Sequence, residues 1–200
     1  MGNIYWGPPP GLVKLLQEQL SLSTFIETGT YKAETACWAS ACFHQVITVE
    51  LSATLVQEAR DLTANIANIQ VIEGESGYEL EQLVPNLKTP ALFWLDAHWC
   101  GAPPPGVVFP GVVGSQARCP LIRELRAINR SSSRHAIVID DAHEFLCPSN
   151  IGVRYSEWPT LSDVVGVINE LPGRYVVVVE DCIVAVPSSC RAALESYCLR

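Results

Sequence analysis

The chain has 200 residues, of which 48% are hydrophobic and only 17% are charged, and its formal net charge at pH 7 is -8. This length allows one sizeable core, so residues 1–200 are expected to form a single domain. The acidic balance offers no basic surface to a phosphate backbone, which argues against nucleic acid as a partner. The apolar runs are strand-length and far short of the roughly 20 residues of a membrane-spanning helix, so no membrane is expected.

The first 22 residues are predicted to be an N-terminal extension that ends in a helix. Met1 to Pro10 contains Trp6 and three prolines. It shows no basic segment followed by an apolar one, which is the pattern of a secretory signal. A cytoplasmic location is therefore expected, and Trp6 with the prolines is a candidate interface for a homodimer.

Short segments rich in β-branched and aromatic residues alternate with amphipathic segments, a pattern typical of a parallel sheet covered by helices on both faces. The predicted strands are Ser23 to Thr28, Gln45 to Glu50, Asn68 to Glu73, Ala91 to Ala97 and Ala136 to Asp141. The predicted crossover helices are Glu34 to Cys42, Ser52 to Ala64, Tyr78 to Leu83 and Leu121 to Asn129.

The pattern changes after the fifth strand. A helix is predicted from Leu161 to Leu171, and two strands, Arg174 to Glu180 and Ile183 to Pro187, are joined by a very short polar link. So short a link can join only antiparallel neighbours. The sequence therefore predicts a Rossmann-like three-layer sandwich with a mostly parallel seven-stranded sheet and an antiparallel C-terminal hairpin strand.

Two long segments have no periodicity, Gly101 to Arg118 and Leu146 to Glu157. Each follows the carboxyl end of a predicted strand, where ligands bind in open α/β sheets. Long loops in a compact domain are often lids or binding segments. Residues 101–118 are therefore predicted to form a lid over an acceptor site.

The turn after the first strand is a candidate cofactor site. Its sequence is FIETGT, residues 25–30, so Gly29 lies between two threonines where a helix begins. Main-chain amides converge there and can donate hydrogen bonds to an anionic group. Glu50 ends the second strand about 20 positions later, where a carboxylate can bind a ribose diol. Because GxGxxG is absent, a nucleoside cofactor without phosphates, such as S-adenosylmethionine, fits better than a dinucleotide.

Four segments occur in methyltransferase order, FIETGT (25–30), ITVELS (47–52), VIEGES (71–76) and LFWLDAH (92–98). Together they resemble the class I S-adenosylmethionine-dependent methyltransferases, over Thr24 to about Asp141. The resemblance implies that Glu27 and Gly29 face the methionine part of the cofactor, Glu50 the ribose, and Glu75 and Ser76 the adenine. The full set of cofactor contacts predicted is Glu27, Thr28, Gly29, Thr30, Glu50, Leu51, Glu75, Ser76 and Asp96.

At two positions the chain departs from the usual pattern of the family that it resembles. Ala33 stands where close members tend to have a second glycine, and Glu75 stands where they tend to have an aspartate. These positions concern the placement of the methionine part and the contact with adenine, respectively.

Acidic and imidazole side chains follow strands four and five. Asp96 and His98 follow one strand, and Asp140, Asp141 and His143 follow the other. Two consecutive aspartates at the end of a buried strand repel each other and lose hydration, so a cation is expected among them. Oxygen ligands favour a hard divalent ion, with magnesium the first choice. Asp96, Asp140 and Asp141 are the predicted metal ligands.

This arrangement is similar to that of the metal-dependent sugar O-methyltransferases of the macrocin type. The resemblance implies that the residue two positions beyond the strand-four aspartate lies near the acceptor hydroxyl, and that residue is His98. Imidazole has an unperturbed pKa of about 6.5 and can accept a proton near neutral pH. His98 is therefore the predicted catalytic base, with His143 as the second candidate. The predicted reaction is metal-assisted methylation of a small acceptor such as a sugar.

Other functions remain open on the sequence alone. The chain could be a metal-free N- or O-methyltransferase with structural aspartates, or a non-catalytic module that binds the cofactor or a partner. A sugar follows only from the resemblance, and the apolar segment 101–114 would equally suit an aromatic or lipid-like acceptor. A hydrolase is disfavoured because GxSxG is absent, and a dehydrogenase because the phosphate-binding glycines are absent.

Overall fold

The computed structural model describes residues 7–98, 119–146 and 158–199. Seven strands form one sheet in these ranges. They are β1 (Thr24–Thr28), β2 (Gln45–Glu50), β3 (Ile69–Glu73), β4 (Ala91–Leu95), β5 (Ala136–Ile139), β6 (Arg174–Val179) and β7 (Cys182–Pro187). Their order across the sheet is β3-β2-β1-β4-β5-β7-β6.

Strands β1 to β5 pair in parallel, whereas β7 lies antiparallel between β5 and β6. The turn from β6 to β7 has positive φ values at Glu180 and Asp181, 50° and 63°. Two consecutive residues with positive φ match the twist of a tight hairpin. The predicted mostly parallel, seven-stranded sheet with an antiparallel C-terminal strand is confirmed.

Helices cover both faces of the sheet. They are α1 (Pro10–Leu20), α2 (Glu34–Ser40), α3 (Ala53–Thr63), α4 (Ser76–Leu83), α5 (Leu121–Asn129), α6 (Ala142–Leu146), α7 (Leu161–Asn169) and α8 (Arg191–Cys198). Local chemistry fixes several helix starts. The Ser52 side chain caps α3, and Thr160 and Asp163 form a capping box at α7.

Some predicted boundaries differ from the structure. Strands β4 and β5 end two residues earlier than predicted, at Leu95 and Ile139. Leu146, predicted to begin a loop, is the last residue of α6. This helix starts where the main-chain amide of Ala142 donates to the carbonyl of Asp181, a long-range contact that no local pattern reveals. The lid predicted at 101–118 and the rest of the second loop, 147–157, lie outside the described residues.

Each face of the sheet has its own apolar core. Phe25 and Trp94 point toward the side of α1, α2 and α8, whereas Ile26 and Phe93 point toward α4, α5 and α7. All four side chains are fully buried. Burial on both faces explains why the central strands are continuously apolar. In the described parts of the chain, no helix is both long and apolar enough to cross a membrane.

Candidate functional site

Polar side chains collect where the parallel strands end, at what we name the carboxyl edge of the sheet. Glu27, Glu50 and His98 belong to this group and are each at most 9% exposed. Glu124, on α5, joins them from outside the strands and is 1% exposed. Ionisable groups are rarely buried to this extent unless they are paired or functional.

The turn after β1 requires glycine. Gly29 has a φ of +84°, and a Cβ at this position would overlap the main-chain carbonyl of Asp96. The amide of Gly29 donates to the carbonyl of Val49 at 2.9 Å, and the amide of Asp96 donates to that of Thr28 at 3.1 Å. The turn is thus held between the ends of β2 and β4. Ala33 also has a positive φ, 59°, which is the conformation that favours the glycine expected there.

Glu27 is a buried acid held by hydroxyl groups. The Oγ1 of Thr48 donates to its Oε2 at 2.5 Å, and the hydroxyls of Thr48 and Thr30 are also 2.5 Å apart. Burial raises the pKa of Glu27 to about 8, against the opposing effect of the Thr48 hydrogen bond. A bound cation would favour the ionised form of this carboxyl group.

Glu50 is held at the end of β2 by two main-chain amides. Its Oε2 accepts from the amide of Tyr31 at 3.0 Å, and its Oε1 accepts from that of Ser52 at 2.9 Å. A carboxylate has about four acceptor positions, so two of them stay available for a pair of hydroxyl groups. Leu51, beside it, is half-buried. The arrangement fits the predicted ribose contact.

Glu75 is committed to the protein itself. It caps α4, with Oε1 accepting from the amide of Gly77 at 3.1 Å and Oε2 from that of Tyr78 at 2.8 Å. Its Oε2 also pairs with Nη1 of Arg123 at 3.1 Å. The Glu75 side chain therefore has a structural role that does not depend on the predicted adenine contact.

Ser76 links α4 to a buried acid that sequence reasoning missed. Its hydroxyl donates to Oε1 of Glu124 at 2.5 Å. Burial raises the pKa of Glu124 to about 7, although this hydrogen bond opposes the shift. A signal existed in the sequence, because Glu124 interrupts the apolar stripe that Leu121, Leu125 and Ile128 form on α5.

His98 and Asp141 form a pair between the ends of β4 and β5. The Nε2 of His98 lies 3.1 Å from Oδ2 of Asp141, and the His98 side chain is 3% exposed. Asp96, predicted to touch both cofactor and metal, lies nearby, and burial raises its pKa to about 7. The structure thus brings the predicted base and two of the predicted metal ligands to one region.

Two aromatic residues enclose His98, and neither was predicted. The Phe145 ring centroid lies 5.9 Å from that of His98 at an interplanar angle of 76°, and the Trp158 centroid lies 5.5 Å away at 88°. Phe145 and Trp158 also contact each other, with centroids 5.6 Å apart. Phe145 lies in α6 and Trp158 lies three residues before α7, so only the folded topology brings them together.

The consecutive aspartates have different surroundings. Oδ1 of Asp140 accepts from the amide of Asp141 at 2.8 Å. Burial raises the pKa of Asp140 to about 6. Asp141 has a φ of +52°, an uncommon conformation for a residue other than glycine, and such strain is concentrated at functional sites.

One group of potential metal ligands shares only Asp141 with the predicted metal set. In the described part of the chain, Asp141, His143 and Asp181 each offer one ligand atom, all within 4.8 Å of one another. His143 is half exposed, and its Nδ1 lies 2.7 Å from Oδ2 of Asp181. Burial lowers the pKa of His143, but the Asp181 hydrogen bond and nearby acids outweigh burial and raise it. Asp96 and Asp140 lie outside this group.

Comparisons with known proteins identify the fold. No family model and no curated protein matches the chain. An O-methyltransferase from Bacillus cereus in complex with S-adenosylhomocysteine is 18% identical, over 90% of this chain and 82% of that one, with a TM-score of 0.52. The N-methyltransferase NodS from Bradyrhizobium japonicum is 11% identical, over 88% and 90%, with a TM-score of 0.51.

A third similar structure is precorrin-6y C5,15-methyltransferase from Geobacter metallireducens, 14% identical over 88% of this chain and 85% of that one, with a TM-score of 0.52. The three names specify different acceptor positions, so the fold does not identify the acceptor. The predicted closeness to macrocin-type enzymes is not tested by these structures and stays a prediction. The chain has the Rossmann-like fold of S-adenosylmethionine-dependent methyltransferases.

Proposed function

We propose that the protein is a methyltransferase that uses S-adenosylmethionine and methylates a hydroxyl group of a small acceptor. The observation that carries the proposal is the buried carboxyl group of Glu27 beside the Gly29 turn. Within the described residues, no lysine or arginine pairs with Glu27, and burying an acid without a cation is costly. S-adenosylmethionine carries an ammonium and a sulfonium group, so it would supply the missing positive charge.

Three residues of the carboxyl edge would hold the cofactor. Glu27 accepts from the ammonium group, Glu50 accepts from the ribose hydroxyls through its unused acceptor positions, and Gly29 lets the main chain approach closely. The cofactor, when bound, supplies a methyl group on a positively charged sulfur. A nucleophile in line with the carbon–sulfur bond can attack the methyl carbon, and the sulfur then leaves. The protein must then position the acceptor oxygen and remove its proton.

His98 is the base in this proposal, and Asp141 is its positioning residue. An ionised carboxylate can only accept, so Nε2 of His98 carries the hydrogen that faces Oδ2 of Asp141. The neutral imidazole of His98 is the group that takes the proton from the acceptor hydroxyl. The low exposure of His98 keeps this proton transfer away from bulk water, where electrostatic effects are weaker.

Metal assistance is the second part of the proposal, supported by the group formed by Asp141, His143 and Asp181. Two carboxylates and an imidazole can bind a divalent ion, and magnesium or manganese suits the oxygen donors. The ion would lower the pKa of an acceptor hydroxyl. Asp96 and Asp140, predicted from sequence, would serve as neighbours of this site.

Calorimetric titration of S-adenosylmethionine and S-adenosylhomocysteine into the purified protein tests the cofactor. We expect micromolar binding that Glu27→Gln weakens, whereas Glu58→Gln, an exposed control on α3, leaves it unchanged. If neither compound binds, the proposed function is wrong.

A separate titration with Mg²⁺ and Mn²⁺ tests the metal. We expect wild-type protein to bind one of the ions and Asp181→Ala to lose that binding. Turnover that is insensitive to EDTA and to added metal would remove the metal from the proposal and leave the His98–Asp141 pair.

A further inference from the structure

We infer that Glu124, the buried acid on α5, is a positioning residue for the adenosine half of the cofactor and acts through Ser76. This inference rests on the proposed function and on the predicted contact between Ser76 and adenine. It adds a residue outside the predicted cofactor contacts, on a helix that carries none of them.

Glu124 holds the first residue of α4 in place. Its Oε1 accepts from the Ser76 hydroxyl at 2.5 Å, and the two residues are only 1% and 5% exposed. The helices α4 and α5 lie close together at this end, because a Cβ at Gly77 would overlap side-chain carbons of Arg123. A hydrogen bond to a charged group is stronger than one between neutral groups, and burial shields this one from water. The position of Ser76 therefore depends on Glu124.

The main-chain amide of Ser76 is the donor that remains for a ligand. Its hydroxyl donates to Glu124, and the carboxylate of Glu75 accepts from the amides of Gly77 and Tyr78. No acceptor for the amide of Ser76 is present among the described residues. Ring nitrogens of adenine accept hydrogen bonds. A fixed position of Ser76 therefore gives the adenine a fixed donor.

An apolar side chain at position 124 would suit the fold better than an acid. Leu121, Leu125 and Ile128 form an apolar stripe around this position. No lysine or arginine pairs with Glu124 in the part of the chain that the structure describes, and burial raises its pKa to about 7. Its contribution to stability is therefore lost as the pH rises through about 7. A role in ligand binding explains why an acid stands here despite this cost.

Arg123 provides a second link between α5 and the start of α4, but a weaker one. Its Nη1 lies 3.1 Å from Oε2 of Glu75, and the two side chains are 36% and 28% exposed. Ion pairs with this much exposure contribute little to stability. The buried hydrogen bond between Glu124 and Ser76 is therefore the link that should matter for binding.

The first test replaces the buried hydrogen bond by an apolar pair. In the double variant Ser76→Ala, Glu124→Leu, leucine continues the apolar stripe and alanine keeps the main-chain amide. At pH 8 we expect its melting temperature to be at least that of wild type, because the ionised buried acid is gone. The Kd for S-adenosylhomocysteine, measured by calorimetry, should nevertheless rise about tenfold, the effect of one lost hydrogen bond. A double variant that binds as tightly as wild type overturns the inference.

Single variants separate the hydrogen bond from the charge. The amide oxygen of Glu124→Gln can still accept from Ser76, so its Kd should stay within about threefold of wild type. Ser76→Ala alone removes the same hydrogen bond and should weaken binding about tenfold, which tests the inference even if the double variant does not fold. The control Arg126→Ala changes an exposed residue of the same helix and should leave the Kd unchanged. If Glu124→Gln binds as weakly as Ser76→Ala, charge and not position is what matters, and the inference is overturned.

A comparison of two ligands locates the effect within the cofactor. Methylthioadenosine keeps the adenosine and the sulfur but lacks the ammonium and carboxylate groups. Ser76→Ala should weaken this ligand and S-adenosylhomocysteine by the same factor, whereas Glu27→Gln should weaken only S-adenosylhomocysteine. General loosening of the site would not produce this crossed pattern. Competition against S-adenosylhomocysteine measures the weaker ligand.

Two further outcomes would contradict the inference. One is that Ser76→Ala weakens S-adenosylhomocysteine but not methylthioadenosine. The other is that the double variant melts well below wild type, which would make Glu124 a structural residue. If wild-type protein binds S-adenosylhomocysteine and all variants of Ser76 and Glu124 bind it equally well, this inference alone has failed. If wild-type protein binds neither S-adenosylmethionine nor S-adenosylhomocysteine, the proposed function has failed.

Discussion

Two buried acids lie at the carboxyl edge of the sheet, whereas two bases with buried groups lie at the opposite edge, the amino edge. Glu27 and Glu124 are 1% exposed at the carboxyl edge, and burial raises their pKa values to about 8 and about 7. At the amino edge, His135 precedes β5 and Arg174 begins β6. Burial lowers the pKa of His135 to about 4 and that of Arg174 to about 10.

The two edges satisfy their buried groups differently. His135 is held by the protein, with Nδ1 accepting from the amide of Ala91 at 3.0 Å and Nε2 lying 2.9 Å from the Ser131 hydroxyl. Its neutral form therefore completes the fold. Glu27 has hydroxyl partners but no ion pair among the described residues, so its ionised form needs an external cation. Similar burial is therefore satisfied within the protein at the amino edge, whereas at the carboxyl edge it leaves an acid for which we propose a bound cationic ligand.

Gly29→Ala should have the largest destabilising effect, because it distorts the turn between the ends of β2 and β4. An alanine with a positive φ costs about 1–2 kcal/mol, and overlap with the Asp96 carbonyl adds about 1–3 kcal/mol. We expect a loss of about 3 kcal/mol in the free energy of unfolding and at least a tenfold loss of cofactor affinity. Chemical denaturation and calorimetry measure the two quantities.

The matched control is Gly166→Ala in α7. A Cβ at Gly166 meets no atom within 4 Å, so alanine should stabilise this helix by about 0.5–1 kcal/mol. Equal behaviour of the two variants would contradict the close approach at Gly29.

Glu27→Gln should separate stability from binding. The pKa of Glu27 is raised in the folded state, so its contribution to stability is complete below the unfolded value of 4.5 and is lost as the pH rises through about 8. Glutamine removes this loss and keeps an acceptor for Thr48. We expect unfolding at pH 8.5 to cost about 2–4 kcal/mol more in the variant than in wild type.

Cofactor affinity should change in the opposite direction. Glu27→Gln loses the charged hydrogen bond to the ammonium group, worth about 1.5–3 kcal/mol, so the Kd for S-adenosylmethionine should rise at least tenfold. Wild-type affinity should increase between pH 6.5 and 8.5 as the carboxyl group ionises, and the variant should have a flatter profile. A variant that binds as tightly as wild type at every pH would show that Glu27 does not face the cofactor.

His135→Asn tests the amino edge. The folded pKa of His135, about 4, lies below its ordinary value of 6.5. Stability is therefore complete above pH 6.5 and falls as the pH decreases toward 4, by up to about 3 kcal/mol. Asparagine keeps an acceptor near the amide of Ala91, so the variant should lose less stability than wild type between pH 7 and 4.5. Cofactor affinity at pH 7.5 should be unchanged.

Arg174→Met should have the smallest effect. Nη1 of Arg174 is buried and has no hydrogen-bond partner in the described ranges, and its charge contributes to the lowered pKa of His135. Methionine keeps an apolar stem, so the free energy of unfolding should change by less than about 1 kcal/mol. The pKa of His135, followed by NMR, should rise. Arg191→Met, which removes an exposed partner of Glu195, should leave that pKa unchanged.

The sequence was sufficient to predict the sheet because its signals are local. Apolar strands alternate with amphipathic helices, and the short link at residues 180–181 forces an antiparallel pair. The helices α6 and α8 were missed. Five residues give too little periodicity to reveal α6, whose first amide is held by Asp181 from the distant hairpin.

The sequence singles out several polar residues of the carboxyl edge, but it does not single out Glu124 or the aromatic rings beside His98. Glu50 and His98 are indicated by strand ends, where polar residues interrupt apolar runs, and Glu27 is indicated by the resemblance to the class I methyltransferases. Phe145 and Trp158 have no local pattern that relates them to His98, and only tertiary packing brings them to it. The adenine contact of Glu75 stays a prediction. Its side chain also caps α4 and binds Arg123, and the second contact depends on a partner far along the chain.

The position of β7 between β5 and β6 also has a consequence for protein synthesis. As the chain leaves the ribosome, β5 and β6 are both complete before the strand that joins them exists. Until β7 is made, the valine-rich segment from Val176 to Val179 has no place in the sheet, and unpaired apolar strands promote aggregation. A released chain that ends after residue 181 would contain β6 but lack β7, so we expect it to aggregate more than the full chain does.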